Sequence, residues 1–200
     1  TKEEFNAFDA KDKTSLYTII KRNQEGKLES IPYHVVYKVQ LERVASLLKQ
    51  ASELAEDAGL KKYLSLRAEA LLSDEYLTSD LAWMDMKTNN IDFVIGPIEN
   101  YEDALYNYKA AYESFILIKD IDWSQKLARF AKLLPKLQES LPVDPQYKKE
   151  VPGSDSDLGV YDAVYYAGDC NGGGKTIAIN LPNDPKVHIE KGSRKLQLKN

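Results

Sequence analysis

The sequence predicts an α+β fold in which helices come first and a β-sheet follows. Between about residues 39 and 87, apolar side chains recur at three- and four-residue spacing, which is typical of amphipathic helices. After Asn90 the spacing changes to a two-residue alternation, which is typical of strands. Helices that precede the strands along the chain favour an antiparallel or mixed sheet over a doubly wound parallel one.

The helical layer is expected to contain three helices. The first begins near Val39 and ends at Gly59, because glycine commonly terminates a helix. The second covers residues 60–72. Ser73 can cap the amino terminus of a third helix, which runs to about Met86. We treat residues 1–88 as one mainly helical segment.

Residues 89–200 are expected to form an α+β portion that is continuous with the helical segment, as one lobe of a larger protein. Ile91, Phe93 and Ile95 alternate with less apolar positions, so residues 91–95 are predicted to be a half-buried strand. A Gly-Pro pair then interrupts regular pairing. Residues 112–118 also alternate, although the same residues could form a helix.

One further helix is predicted at about residues 122–139. Its apolar stripe contains Pro135, which should kink or end the helix because proline cannot donate the backbone hydrogen bond. A connector rich in Pro, Gly and Ser follows at residues 141–157. Strands are expected at 160–167 and 176–182, joined by a glycine hairpin. A weaker alternation at residues 187–198 indicates a last strand.

Composition and charge exclude several kinds of partner. The formal net charge of -4 and the pI near 5.4 argue against a nucleic-acid or anionic-membrane surface. No apolar run is long enough to span a bilayer. Cys170 is the only cysteine, and His34 and His188 stand in no zinc-binding arrangement. We therefore predict no metal site in this chain and no disulfide within it.

The run GDCNGGGKT at residues 168–176 resembles a phosphate-binding loop. However, Asp169 stands where that loop needs its first glycine, and the residues that follow read as a strand rather than a helix. A nucleotide hydrolase that uses the Gly168–Thr176 loop is therefore kept only as an unfavoured alternative. A structural role for the Cys170 thiol is favoured over a nucleophilic one, since neither histidine is identified as its base.

Three short runs are more specific when they are taken together and in this order. They are IGPIENYED at 95–103, VYYAGDC at 164–170 and IAINLPND at 177–184. The set resembles the dipeptidyl peptidase III family of zinc metallopeptidases, particularly its bacterial branch, from about Trp83 to Asn200. The resemblance implies an exopeptidase that removes dipeptides from the amino terminus of oligopeptides, and a barrel-like sheet in this lobe.

The resemblance also implies roles for four residues. Glu99 matches the acid that pairs with the ammonium group of the substrate, and Tyr101 matches the catalytic tyrosine that polarises the scissile carbonyl. Asn180 and Asn183 match asparagines that hold the first substrate residue. Glu99 and Tyr101 are two positions apart, so on an extended chain their side chains would point the same way. Asn100 departs from the Ser or Thr that is usual in the family.

The zinc motif of the family, H-E-x-x-x-H, does not occur in these residues. The resemblance therefore implies that zinc is held by a missing catalytic lobe of the same protein, and that this chain is an inactive substrate-binding portion. Its expected partners are an oligopeptide substrate and that lobe. A non-enzymatic peptide-binding domain is the alternative from another class. A cytoplasmic location is favoured, although an export signal could have preceded Thr1.

Overall fold

The computed structural model describes residues 1–101, 103–148, 157–171 and 176–199. The fold is α+β, as predicted, with a layer of helices packed against a mixed five-stranded sheet. Within the described residues, no helix is long and apolar enough to cross a membrane.

Three consecutive helices form the predicted helical layer, and the other helices lie around the sheet. The helices are α1 (Lys2–Ala7), α2 (Tyr33–Val36), α3 (Lys38–Leu54), α4 (Ala58–Ser73), α5 (Leu77–Asp85), α6 (Ile121–Ala131), α7 (Leu134–Ser140) and α8 (Pro185–Lys191). Asp57 caps α4 by accepting a hydrogen bond from the Leu60 amide.

The predicted cap at Ser73 is wrong. Ser73 is the last residue of α4, and its hydroxyl donates back to the carbonyl of Glu69. The next residue, Asp74, adopts the left-handed conformation that ends a helix, and α5 starts three residues later at Leu77. A serine hydroxyl can bond backbone groups at either end of a helix. The presence of a serine therefore does not show which end of the helix it occupies.

The strands form a small hairpin and one larger sheet. The strands are β1 (Thr18–Arg22), β2 (Leu28–Pro32), β3 (Ile91–Glu99), β4 (Ala111–Lys119), β5 (Asp157–Gly168), β6 (Ala178–Leu181) and β7 (Arg194–Lys199). In the larger sheet the order is β3-β4-β5-β7-β6; β5 and β7 are parallel, and the other neighbours are antiparallel. Residues 112–118, which could be either strand or helix from the sequence alone, therefore form a strand.

The predicted hairpin between the strands at 160–167 and 176–182 is wrong. Strand β7 lies between β5 and β6, so these two are not neighbours. Residues 187–198 are likewise not one strand, since α8 comes first and β7 after it. Asp184 caps α8 by accepting from the Lys186 amide, and Pro185 suits its first turn. This short helix connects β6 to its antiparallel neighbour β7, and β7 pairs in parallel with β5 on its other side.

Pro135 has the expected effect on the predicted helix at 122–139. The segment is divided into α6 and α7, and Pro135 lies in the first turn of α7, where its missing N–H costs little. Asp120 caps α6 by accepting from the Trp123 amide.

A buried ion pair links the helical layer to two strands of the sheet. Asp92 of β3 is fully buried and pairs with Arg194 of β7 at 2.7 Å. The indole N–H of Trp83, in α5, donates to the other oxygen of Asp92 at 2.8 Å. The deeply buried face of β3 is therefore that of Asp92 and Val94, while Ile91 is half exposed.

Helices and sheet share one hydrophobic core. Side chains of α3 and α4, such as Leu48 and Leu64, belong to the same buried cluster as Phe115, Leu117 and Leu196 of the sheet. The division of the chain at residues 88 and 89 stays a prediction.

Candidate functional site

A cavity of about 400 Å³ lies beside the end of β3. Residues from β3, β4 and β6 and from the turns next to them line it: Glu99, Tyr101, Glu113, Phe115, Thr176, Ala178, Ile179, Asn180, Leu181 and Asn183. All four residues singled out by the sequence, which are Glu99, Tyr101, Asn180 and Asn183, are in this set. The structure therefore brings them to one place.

Glu99 is the last residue of β3 and is 7% exposed. The register of β3 against β4 shifts between Pro97 and Glu99, which is a local bulge of the kind that redirects a side chain. One carboxylate oxygen of Glu99 accepts a hydrogen bond from the Tyr101 amide at 3.0 Å. The strand and this bond together fix the position of a buried negative charge.

The expectation that Glu99 and Tyr101 lie on one extended chain is wrong. The chain bends at Tyr101, whose side chain is 64% exposed, whereas Glu99 is buried. The bend closes because the Glu99 carboxylate bonds the Tyr101 amide, so the two residues do not continue one extended strand. Both residues still line the cavity.

Asn180 lies in β6, an edge strand, and Asn183 follows it after a cis Leu181–Pro182 peptide bond. The side-chain amide of Asn183 donates to the carbonyl oxygen of Ile98 at 2.9 Å. The ring of His188 in α8 bonds the carbonyl oxygen of Pro182. The N-L-P-N turn is thus attached both to β3 and to α8.

The two edges of the larger sheet meet at this turn. Strands β3 and β6 are at opposite ends of the strand order, yet Asn183 next to β6 reaches Ile98 in β3. The sheet is therefore strongly curled, as the implied barrel-like shape requires, but in the described residues no ladder joins β3 to β6. The cavity lies along this seam.

Two further carboxylates near Glu99 escaped the sequence reasoning. Glu113 in β4 and Asp169, just after β5, each place an oxygen within 4.8 Å of the others and of Glu99. The signals were a glutamate in the largely apolar β4 and the Asp of the A-G-D-C run. Asp103 instead accepts from the Tyr108 amide, and Glu102 lies outside the described residues.

Three carboxylates this close favour a cation between them, because like charges at short distance repel one another. Zinc does not fit this set, since it prefers nitrogen and sulfur ligands and the set offers only oxygens. Both histidines are engaged elsewhere: His34 Nδ1 bonds Asp74 at 2.7 Å, and His188 bonds Pro182. An ammonium group or a hard cation suits the oxygens better.

In the part of the chain that the structure describes, the run GDCNGGGKT lacks the structural surroundings that a phosphate-binding loop needs. Gly172–Lys175 lie outside the described residues. The residues after the loop form β6 and not a helix, so the helix amino terminus that a phosphate loop needs is missing at that place. Cys170 is buried and its thiol donates to the carbonyl of Ala167 at 3.3 Å. Burial raises the pKa of this thiol, which agrees with the favoured structural role.

Comparison with known proteins identifies a family, and three of the similar proteins are described here. The model of Peptidase family M49 matches residues 3–200. A structure of dipeptidyl peptidase III from Caldithrix abyssi is 46% identical with a TM-score of 0.91, over 99% of this chain and 39% of that one. A structure of dipeptidyl-peptidase III from Corallococcus sp. strain EGB is 37% identical with a TM-score of 0.81, over 98% and 38%. An Arabidopsis thaliana protein named Nudix hydrolase 3 is 38% identical, over 94% of this chain and 26% of that protein.

The chain spans about two fifths of the two solved relatives and about a quarter of the plant relative. The family match nevertheless extends over nearly every residue, and both solved relatives are superimposable at high identity. The chain therefore belongs to peptidase family M49, the dipeptidyl peptidase III family of zinc metallopeptidases.

Proposed function

We propose that this chain is the substrate-binding portion of a zinc-dependent exopeptidase that removes dipeptides from the amino terminus of oligopeptides. The observation that carries the proposal is the placement of a buried carboxylate, Glu99, and two asparagines, Asn180 and Asn183, around one cavity at the seam of the sheet. The zinc and the catalytic lobe belong to the remainder of the protein.

Glu99 is the anchor for the ammonium group of the peptide. Its carboxylate is fixed by the strand and by the Tyr101 amide, so it loses little freedom when a ligand arrives. A charge-assisted hydrogen bond in such a place contributes about 1.5–3 kcal/mol. Glu113 and Asp169 add negative charge on the same side, which strengthens the preference for a cation.

The asparagines address the backbone of the first residues. Because the amide nitrogen of Asn183 is directed at the Ile98 carbonyl, its Oδ1 is turned the other way and can accept a hydrogen bond from the peptide. Asn180 is exposed on the edge strand β6, where an extended peptide can pair with the backbone. Backbone pairing gives affinity without strong sequence preference.

Tyr101 is proposed as the residue that polarises the scissile carbonyl. Its exposed side chain lines the same cavity as Glu99, and one residue separates the two along the chain. An amine-binding carboxylate at one end and a phenol at the other would define a fixed length of peptide between them. Without the zinc-bearing lobe, we expect no peptidase activity from these 200 residues.

The test compares free and amino-terminally acetylated peptides in the full-length protein. We expect dipeptide release from the free peptide to be much faster. Glu99→Gln should lower kcat/KM for the free peptide by about 10- to 150-fold, which is the rate equivalent of a lost charge-assisted bond, mainly through KM. The exposed Glu53→Gln serves as the matched control and should leave it unchanged. If the wild type releases dipeptides from the free and the acetylated peptide at the same rate, the proposed role of Glu99 is wrong.

The alternative, a non-enzymatic peptide-binding domain, would use the same cavity. Under that alternative the full-length protein would bind peptide but release no dipeptide. The nucleotide-hydrolase alternative has little support: β6 follows the glycine loop, and the relative named Nudix hydrolase 3 extends far beyond the matched quarter of its length. A rise in melting temperature with millimolar ATP would revive it.

A further inference from the structure

Helix α6 is attached to the sheet by its polar side. The Ser124 hydroxyl accepts from the Val160 amide at 3.0 Å and donates to the Val160 carbonyl at 3.3 Å. Ser124 is also the buried residue of α6, while the apolar side chains of the helix are not buried. An amphipathic helix on a protein core ordinarily buries its apolar side, so this arrangement is inverted.

The apolar side of α6 continues into α7 and is exposed. We define the apolar face by five residues: Trp123, Phe130, Leu133, Leu134 and Leu137. Phe130 is 66% exposed and Trp123 54%, and α7 has no buried residue. Single exposed apolar residues are ordinary, but a contiguous group of this size marks an interaction surface. Exposed cations surround it: Lys126, Arg129, Lys132 and Lys136.

The last described strand ends beside this face. Lys199 of β7 forms an ion pair with Asp120, the residue that caps α6, at 2.7 Å, and with Asp162 at 3.0 Å. Any polypeptide that continues past β7 therefore starts next to the amino terminus of α6. Both solved relatives, which superimpose on nearly all of this chain, have the larger part of their own length outside the match.

We infer that the apolar face of α6 and α7 is an interface within the protein, covered by the remaining polypeptide. Its chemistry defines the occupant: an apolar surface to cover Trp123 and Phe130, with carboxylates at its rim to meet the surrounding cations. The inference does not depend on what the cavity binds.

The test measures side-chain exposure in the full-length protein by hydroxyl-radical footprinting. Leu137 in α7 and Leu47 in α3 are matched, since both are leucines and both are 55% exposed in the structure. We expect Leu137 to be oxidised several-fold more slowly than Leu47. Equal rates, or a faster rate at Leu137, overturn the inference. The measurement uses the wild type, so it does not depend on a variant that folds.

Paired variants identify the occupant. In the full-length protein, Leu137→Asp should lower the melting temperature much more than Leu47→Asp, because only the first charge enters an apolar interface. If Leu137→Asp leaves the melting temperature unchanged and instead dissociates a dimer, the occupant is a second copy and the inference is wrong. It is equally wrong if the variant only abolishes binding to phosphatidylserine vesicles, which would indicate a membrane surface.

Discussion

The side-chain amide of Asn183 donates a hydrogen bond to the carbonyl oxygen of Ile98 at 2.9 Å, across the seam between the two edges of the sheet. This bond sets the distance between the N-L-P-N turn and the strand that ends in Glu99. Asn183 therefore holds the seam in addition to the peptide contact proposed for it, whereas only the peptide contact is proposed for the exposed Asn180.

The two asparagines should differ when each is changed to alanine. Asn183→Ala removes the bond to Ile98 and should lower the free energy of unfolding by about 0.5–1.5 kcal/mol as well as weaken peptide turnover. Asn180→Ala should weaken turnover alone. Urea unfolding and kcat/KM of the full-length protein separate the two effects. Equal losses of stability for both variants would show that the bond to Ile98 does not hold the seam.

The buried pair of Asp92 and Arg194 should be among the most sensitive positions of the fold. Asp92→Asn removes the carboxylate that pairs with the buried Arg194 guanidinium at 2.7 Å, and loss of one partner of such a buried pair costs about 3–5 kcal/mol. The exposed Asp9→Asn is the control and should change stability by less than about 0.5 kcal/mol. Chemical unfolding of both variants is the measurement. Similar midpoints for the two would contradict a structural role for the pair.

Gly168 should tolerate no side chain. It has φ +96°, and a Cβ there would lie 2.1 Å from the Tyr112 carbonyl oxygen, so strain and a backbone clash act together. Gly192 also has positive φ, at +74°, but its Cβ would meet open space. Gly192→Ala should cost about 1–2 kcal/mol, and Gly168→Ala clearly more. Thermal unfolding compares the two variants. Equal losses of stability would mean that the backbone of β4 moves at Tyr112 to make room for the new side chain.

Cys170 should react slowly with thiol reagents. Burial raises its pKa, so at pH 8 a smaller fraction is the reactive thiolate than in an ordinary cysteine. The labelling rate should keep rising with pH after that of an exposed cysteine has levelled off. Ala104→Cys in a Cys170→Ser background supplies the exposed reference. If Cys170 and the exposed reference cysteine show the same dependence of labelling rate on pH, Cys170 is not a buried structural thiol.

The parts of the fold that sequence predicts are those that depend on local patterns. The helices α3 to α5 and the strands β3 and β5 follow apolar spacing, and Pro135 marks the break between α6 and α7. The insertion of β7 between β5 and β6 has no local signal, because strand pairing is decided by contacts far apart in sequence. Helix α8 does have a local signal, a capping aspartate followed by proline at 184–185, which the prediction of a last strand did not use.

The candidate site shows the same division. Glu99, Tyr101, Asn180 and Asn183 were found because they lie in short recognisable runs. Asp92 was taken for the less apolar side of a half-buried strand, since its partner Arg194 is 102 residues away. Glu113 lies in β4 and Asp169 just after β5, and the two converge on Glu99 only in the folded protein. No sequence spacing encodes that convergence.

The seam between β3 and β6 has a consequence for how the protein folds. Ile98 and Asn183 are 85 residues apart, and the strands between them must pair before the two can meet. Contacts that close such long loops tend to form last and to open first. We expect amides near the seam to exchange with solvent before those of the central strands. A peptide that spans the seam would then act as a clasp and protect the sheet from partial unfolding.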